Sequence, residues 1–178
     1  MTAALKVVSP GLHTTIQDLG RHGYQAFGVP VSGALDVASH RLANHLVGNS
    51  DNAPTLEILY HGPILEVIAD SVRVGIAGGD AEIELMGDRS RGLGGWRSIL
   101  LRRNQTFRVH RLGTTACCYL AVEGSFAVES CLGSASTYVR GGFGGLAGRA
   151  LQAGDVLTLA RETASDRAEL GLRDPPRS

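Results

Sequence analysis

The sequence has few cysteines, few aromatic residues and no long hydrophobic run. Its three cysteines are an odd number, and the neighbours Cys117 and Cys118 would point to opposite faces of a strand, so the pattern with Cys131 argues against a disulfide framework. No stretch of about 18 apolar residues is present, as a membrane span requires, and the first residues do not resemble a signal peptide. We therefore expect a cytoplasmic protein that does not act in a membrane.

Neither sign of charge predominates, because 17 basic residues balance 17 acidic ones. This balance makes nucleic acid a poor candidate ligand. With 43% hydrophobic and 19% charged residues, a chain of 178 residues can bury a core. We expect one domain over residues 1–163. The charged, non-periodic residues 164–178 are expected to form a disordered tail or the remnant of a linker.

Short stretches of alternating apolar and polar residues predict a mainly β protein. Residues 55–60 and 64–69 flank a His-Gly-Pro turn and predict one hairpin, while residues 72–76 and 81–85 flank Gly78-Gly79-Asp80 and predict a second. Further strands are expected at residues 98–102, 106–110, 115–122 and 156–159. Many short strands together with 24 glycines favour a closed barrel over an open sheet.

One segment has helical spacing instead. Its apolar residues include Leu35, Leu42 and Leu46, which predict one principal amphipathic helix over about residues 33–48. Ser32 is expected to cap the start of this helix, and Gly48 to end it.

Four glycine-containing segments are candidates for a binding site. Residues 10–24 could present backbone N–H groups and Arg21 to a carboxylate or phosphate, or they form an ordinary turn in which Asp18 and Arg21 pair. Residues 28–36 lead into the helix start, which attracts anions, although Asp36 there is more simply explained as a partner of the helix dipole. Residues 77–80 fit a plain hairpin turn. Residues 133–149 fit either an anion-binding loop or a flexible surface loop.

Other kinds of site find little support. His40 and His45 lie five residues apart, so they do not share a helix face as a zinc-binding pair would, and we expect no metal site. The sequence also lacks a P-loop pattern and a Gly-x-Ser-x-Gly elbow.

Two of the candidate segments taken together carry a family resemblance. Residues 9–24, SPGLHTTIQDLGRHGY, followed by residues 28–36, GVPVSGALD, resemble the amino-terminal part of the allophanate hydrolase subunit 2 family, which includes the 5-oxoprolinase C subunit and KipA. Residues 77–80, 119–124 and 133–149 follow in the family's order. The resemblance covers residues 5–160, which correspond to the first half of the family's two-barrel protein.

The resemblance implies a fold, an activity and partners. The implied fold is a cyclophilin-like β-barrel, with a second barrel absent from this chain. The implied activity is ATP-dependent opening of 5-oxoproline to glutamate, carried out in a complex with a KipI-like protein and a LamB/YcsF-like subunit; the isolated chain is expected to be inactive. Two alternatives stay open. One is a KipA-like binding module that antagonises a kinase inhibitor, and the other is the biotin-dependent carboxyltransferase part of a urea carboxylase.

The resemblance also suggests roles for individual residues in binding a small acid or amide. Asp18, Asp80 and Arg21 are the expected catalytic residues. The expected substrate-binding residues are Gln17, Tyr24, Ser32, Asp36, Ser136, Thr137, Tyr138 and Arg140. The chain departs from the family at Ala135, where the family has an arginine, and at Ser125, where it has a glycine. Prolyl isomerase activity is a weaker possibility, because fold alone does not fix function.

Overall fold

The computed structural model describes residues 2–87, 89–110, 112–113 and 115–173. Eleven strands lie in this part of the chain, with one α-helix and one short 3-10 helix. The strands are β1 Ala4–Ser9, β2 His13–Gln17, β3 Thr55–Leu59, β4 Ile64–Val67, β5 Ser71–Ala77, β6 Ile83–Met86, β7 Arg91–Gly94, β8 Arg97–Arg102, β9 Thr106–Val109, β10 Cys117–Val122 and β11 Val156–Thr158. The helix α1 spans Val37–Val47, and the 3-10 helix spans Gln25–Phe27.

The strands form two antiparallel sheets. Sheet I has the order β11-β1-β4-β9-β6-β7, and sheet II has the order β2-β3-β10-β5-β8. Their facing sides share one apolar core, to which Leu5 and Phe107 contribute from sheet I and Ile58 and Leu120 from sheet II. The burial of this core supplies most of the driving force for folding. The mainly β prediction is confirmed.

The prediction of a closed barrel is not confirmed, because each sheet keeps two edge strands among the described residues. The edges of the two sheets meet at two seams. A cavity of about 260 Å³ lies at the seam of β2 and β11. A polar cleft of about 330 Å³, here named the β7–β8 cleft, lies at the other seam and is lined by Arg91, Arg97, Gln105 and Glu169, among others.

Both predicted hairpins are wrong, although their strands exist. β3 pairs with β2 and β10 in sheet II, whereas β4 pairs with β1 and β9 in sheet I. Likewise β5 belongs to sheet II and β6 to sheet I. The glycine turns at residues 61–63 and 78–80 therefore carry the chain from one sheet to the other, so the two strands that flank each turn belong to opposite sheets.

Helix α1 covers the outer face of sheet II and starts later than predicted. Its N-cap is Asp36 and not Ser32: the Asp36 carboxylate accepts hydrogen bonds from the amides of Ala38 and Ser39 at 3.0 and 3.1 Å. The predicted end at Gly48 is confirmed, since that residue adopts the left-handed conformation. Gly75 of β5 lies beneath the helix, where a Cβ atom would come within 2.6 Å of the Ala43 carbonyl oxygen.

Residues 164–173, here named the strap, run across the outer side of sheet II. A buried pair anchors the segment: Arg73 Nε lies 3.3 Å from Glu123 Oε2, and Arg73 Nη2 donates to the carbonyls of Ser165 and Arg167. The side chain of Arg167 donates to Val47 O at the end of α1. Residues 174–178, the rest of the expected tail, lie outside the described residues.

The three cysteines are free thiols, and Cys118 is buried. Burial raises the pKa of the Cys118 thiol well above its ordinary value.

Within the described ranges, no helix is long and apolar enough to cross a membrane.

Candidate functional site

Asp18 joins two of the candidate segments. Its carboxylate accepts hydrogen bonds from the hydroxyls of Ser134 and Ser136 at 2.6 and 2.5 Å, and from the amides of Gly20 and Ala135 at 2.7 Å each. Burial alone would raise the pKa of this carboxyl, but the four hydrogen bonds outweigh it and hold the pKa below its ordinary value. Asp18 is therefore a charged residue that fastens residues 17–21 to residues 134–137.

The same two segments are joined at Gln17. Its amide nitrogen donates to Thr15 Oγ1 at 3.0 Å and to Thr137 O at 3.3 Å, while the amide and hydroxyl of Thr137 both donate to Ile16 O. The buried Gln17 Oε1 accepts no hydrogen bond from the described residues. Gln17 therefore offers one unused acceptor at this junction.

Arg21 is 1% exposed and lies at the centre of the junction. Its Nη2 donates to Ser136 O, its Nε donates to Cys131 O at 3.4 Å, and its Cζ lies 4.9 Å from the centroid of the Phe143 ring. In the part of the chain that the structure describes, Arg21 forms no salt bridge, so the alternative in which Asp18 and Arg21 pair is not what the structure has. Its buried Nη1 also has no partner there.

A buried guanidinium without a carboxylate partner is uncommon, because burying an unpaired charge is costly. Two carbonyl oxygens and one aromatic face compensate part of that cost. Gly144 allows this arrangement, since a Cβ atom there would come within 2.1 Å of Ser136 O and 2.9 Å of Arg21 Nη2. The Gly-rich segment therefore packs against Arg21, and the Nη1 amino group is left without a hydrogen-bond partner among the described residues.

Residues 31–36 run alongside this junction. Arg21 N donates to Val31 O at 2.8 Å, and Ala34 N donates to Asp18 O at 2.9 Å. Ser32 has a φ of +55° and lies between these two contacts. The structure thus brings Gln17, Asp18, Arg21, Ser136 and Thr137 together, with Ser32 and Asp36 on the adjoining segment.

The remaining predicted residues of this end lie at its margin. The carbonyl of Tyr24 accepts from Phe27 N in the 3-10 turn that follows Arg21. The Tyr138 ring contacts Phe143 edge to face, with ring centroids 5.5 Å apart. Arg140 is exposed two residues further on.

Sequence reasoning missed Glu57 and Tyr119, which hold the start of the helix in place. The Tyr119 hydroxyl donates to Glu57 Oε2 at 2.7 Å and accepts from Asp36 N at 2.8 Å, and Glu57 Oε2 also accepts from Leu35 N. Burial, with the neighbouring Glu57, raises the pKa of Tyr119 above its ordinary value. A signal was available, because residues 118–122 are apolar at every position, which indicates that both faces of this strand are covered.

Asp80 lies away from the junction. Asp80 follows the end of β5 and lies near the end of sheet II where Leu59 pairs with Cys117 and His13. Asp18 follows Gln17, which lies at the opposite end of the same sheet. Asp80 accepts from Gly113 N at 2.9 Å and from Thr115 Oγ1 at 3.4 Å. Those two residues line an open groove of about 850 Å³, whose other lining residues are Gly11, Leu12, Tyr60, His61, Leu112 and Ala116.

Among the residues that the structure describes, no three His, Cys, Asp or Glu side chains cluster as metal ligands would. The polar groups that remain unused at the junction are one cationic donor and one amide acceptor. This donor set suits an organic acid better than a metal ion.

Comparison with known proteins identifies the family. The family profile described as "Carboxyltransferase domain, subdomain A and B" matches residues 27–178. The chain is 36% identical over 176 residues to urea amidolyase of Saccharomyces cerevisiae, covering 98% of this chain and 9% of that protein. It is 36% identical over 169 residues to the 5-oxoprolinase C subunit of Escherichia coli, covering 95% of this chain and 53% of that protein.

Solved structures agree with these matches. The crystal structure of Kluyveromyces lactis urea carboxylase superposes with a TM-score of 0.85 at 34% identity, covering 99% of this chain and 15% of that one. The chain spans about half the length of the 5-oxoprolinase C subunit and a small part of the fungal proteins. The resemblance of the amino-terminal segments is thus confirmed, and the chain belongs to the carboxyltransferase-domain family, subdomains A and B, together with the 5-oxoprolinase C subunit.

Proposed function

We propose that this chain is part of a 5-oxoprolinase-type amidohydrolase complex and that Arg21 binds the carboxylate of a small cyclic amide acid. The observation that carries the proposal is the buried Arg21 guanidinium, which has an unpartnered N–H and no carboxylate partner in the described ranges. The similarity to the 5-oxoprolinase C subunit supports the substrate class. 5-Oxoproline carries one carboxylate and one amide, which match an arginine donor and an amide acceptor.

On this proposal each residue has a separate task. Arg21 Nη1 donates to the substrate carboxylate, and Gln17 Oε1 accepts from the substrate amide N–H. Asp18 positions both by fastening the two segments, and its low pKa keeps it ionised instead of carrying a proton. Phe143 covers the guanidinium, so the Gly-rich segment has to shift as the substrate enters. Tyr24, Tyr138 and Arg140 then lie at the rim of the site.

Asp80 accepts a hydrogen bond from Gly113 N, and Gly113 lines the 850 Å³ groove away from Arg21. If it acts in the reaction, as the family resemblance implies, the groove has to face a partner protein that completes a second part of the site. The likeness of the two packed sheets to a cyclophilin-like barrel and the KipI-like and LamB/YcsF-like partners are also part of this proposal. ATP belongs to the proposal only at the level of the complex.

The test is turnover by the assembled complex. The chain is combined with the second-barrel half and with KipI-like and LamB/YcsF-like proteins, and ATP-dependent release of glutamate from 5-oxoproline is measured. We expect Arg21→Lys to lower kcat/KM by at least about 10²-fold, because the single ammonium of lysine cannot replace the Nη2 and Nε contacts to Ser136 O and Cys131 O and also donate to the substrate from the position of Nη1. Arg41→Lys, on the exposed side of the helix, is the matched control.

Thermal unfolding of each variant separates loss of folding from loss of binding. Full turnover by a folded Arg21→Lys complex would contradict the proposal. Binding of the KipI-like protein without turnover, with every partner present, would favour the KipA-like regulatory module instead.

The similarity to urea amidolyase and urea carboxylase supports one further candidate, a carboxyltransferase of the urea carboxylase type. On this alternative the substrate is an amide or ureido group and biotin is the cofactor of the complex. Carboxylation of urea by the complex, with no glutamate formed from 5-oxoproline, would decide for it.

A further inference from the structure

The outer edge of β8 is paired with the strap in the manner of a short strand. Ser98 N donates to Leu170 O at 2.8 Å, and Leu172 N donates to Trp96 O at 3.0 Å. Leu170 N donates to Ser98 Oγ at 2.8 Å. The edge of sheet II, which would otherwise expose unpaired backbone groups, is therefore occupied by the chain itself.

An acidic side chain completes this pairing. Glu169 Oε1 accepts from Leu100 N at 2.9 Å, and Glu169 Oε2 lies 3.3 Å from Arg97 Nη2. Because one carboxylate bonds both the strand backbone and a neighbouring arginine, the edge recognises an extended segment with an acidic residue at this position.

The surroundings of this edge are basic. Residues 89–122 contain seven arginines and no Asp or Glu. Three of them have carboxylate partners: Arg97 with Glu169, Arg103 with Asp70, and Arg108 with Glu84. Arg91 and Arg102 form no salt bridge within the described residues, and Arg91 lines the β7–β8 cleft beside Glu169.

The strap is held at this end mainly by hydrogen bonds. Leu170 and Leu172 remain 43% and 38% exposed, and neither belongs to the apolar core clusters of the described residues. A segment with few buried apolar contacts opens locally at a small free-energy cost. Release of residues 169–172 would expose the edge of β8 beside Arg91 and Arg97, which are exposed already, and would leave Arg97 without its carboxylate partner.

We propose that the edge of β8 and the β7–β8 cleft form a docking surface for an extended, acidic segment of a partner protein, which adds as a strand in the place that residues 169–172 occupy here. This inference goes beyond the proposed function, because it uses neither Arg21 nor the substrate site.

Hydrogen exchange tests whether the strap opens. In the full chain, we expect the Ser98 and Leu172 amides to exchange faster than the amides that pair β5 with β10. Glu169→Gln should raise their exchange rate roughly tenfold, since the ion pair with Arg97 is lost and the acceptor of Leu100 N becomes a neutral amide. Asp166→Asn, an exposed change on the same strap, is the control and should leave the rates unchanged. If the Ser98 amide exchanged as slowly as the core amides, which exchange only when the whole protein unfolds, the proposal would be overturned.

Peptide binding tests the docking surface. The probes are a fluorescent peptide with the sequence of residues 164–173 and the same peptide with both arginines replaced by glutamate. The protein is the full-length chain with Glu169→Gln and Leu172→Pro, which together release the strap. We expect this variant to bind the acidic peptide roughly tenfold more tightly than it binds the native-sequence peptide. We also expect the acidic peptide to bind the variant roughly tenfold more tightly than it binds the wild-type protein. Equal affinities for the two peptides, or tighter binding of an oligonucleotide of the same charge, would overturn the choice of an acidic protein segment.

Discussion

A few buried polar residues determine the geometry of the candidate site. Asp18 is a charged group with 3% of its surface exposed, and its cost of burial is offset by four donors from two distant parts of the chain. Nothing in the local sequence around Asp18 shows that three of its four donors lie 116 to 118 residues further on. The sequence therefore predicts that Asp18 is important for structure or function, but it does not predict which residues Asp18 contacts.

Replacing Asp18 by Asn should destabilise the protein by about 2–3 kcal/mol, because four charge-assisted hydrogen bonds are weakened and an amide N–H₂ faces other donors. Chemical denaturation at pH 7 measures the change. Asp70→Asn, which alters an exposed ion pair with Arg103, is the control and should cost less than about 1 kcal/mol.

The effect of Asp18 should also depend on pH. Because the folded pKa of Asp18 is lowered, its stabilisation is fully present above the unfolded value of about 3.9 and is lost as the pH falls toward the folded pKa. The difference in unfolding free energy between wild type and Asp18→Asn should therefore shrink in acid. A difference that stayed constant from pH 7 to pH 2 would contradict this assignment.

Tyr119 should show the opposite pH dependence. Its pKa is raised in the folded protein, chiefly by burial, so its stabilisation is present below the ordinary tyrosine value of about 10 and is lost as the pH rises above it. Tyr119→Phe should cost about 1–3 kcal/mol at pH 7 and less in alkali. Tyr60→Phe, at an exposed tyrosine, is the control for the loss of a hydroxyl.

At the scale of elements, alternation predicted where strands lie but not which strands pair. β8, β9, β10 and β11 fall within one or two residues of their predicted bounds. The Gly-Pro turn between β3 and β4 predicts a hairpin, yet Gly62 packs against Val109, where a Cβ atom would come within 2.5 Å. This close approach directs the chain across the core. It depends on β9, which is distant in sequence.

The start of α1 offers a direct test of the corrected cap. Asp36→Ala should lower the unfolding free energy by about 1 kcal/mol, because two amides of the first turn lose their acceptor. Ser32→Ala removes the hydroxyl of the cap expected from the sequence and should cost less than about 0.5 kcal/mol. A larger loss in Ser32→Ala than in Asp36→Ala would favour Ser32 as the cap after all.

At the scale of the whole molecule, both sheets depend on one core, so they should unfold together. Leu120 is fully buried between the sheets, and Leu120→Ala should cost about 2–5 kcal/mol. The fluorescence of Trp96, the single tryptophan, and the circular dichroism of the strands should report the same midpoint before and after the substitution. Separate midpoints would show that the sheets are independent units.

The mainly β class and the family were predictable at this scale, but the open seams were not. A closed barrel and two packed sheets share the same strand lengths and the same apolar alternation. They differ only in whether the edge strands hydrogen-bond to each other, and here side chains such as Ile16 and Arg97 line cavities at the seams instead. Periodicity carries no information on that contact.

Gly75 sets how closely helix α1 packs on sheet II, and this helix starts beside the candidate site. The Ala43 carbonyl lies so close to this strand that one added methyl group would push the helix outward. Asp36 caps the start of that helix, and its amide donates to the Tyr119 hydroxyl, which in turn donates to Glu57. A change of a single carbon atom at position 75 would therefore shift residues 32–36 without touching any residue of that segment.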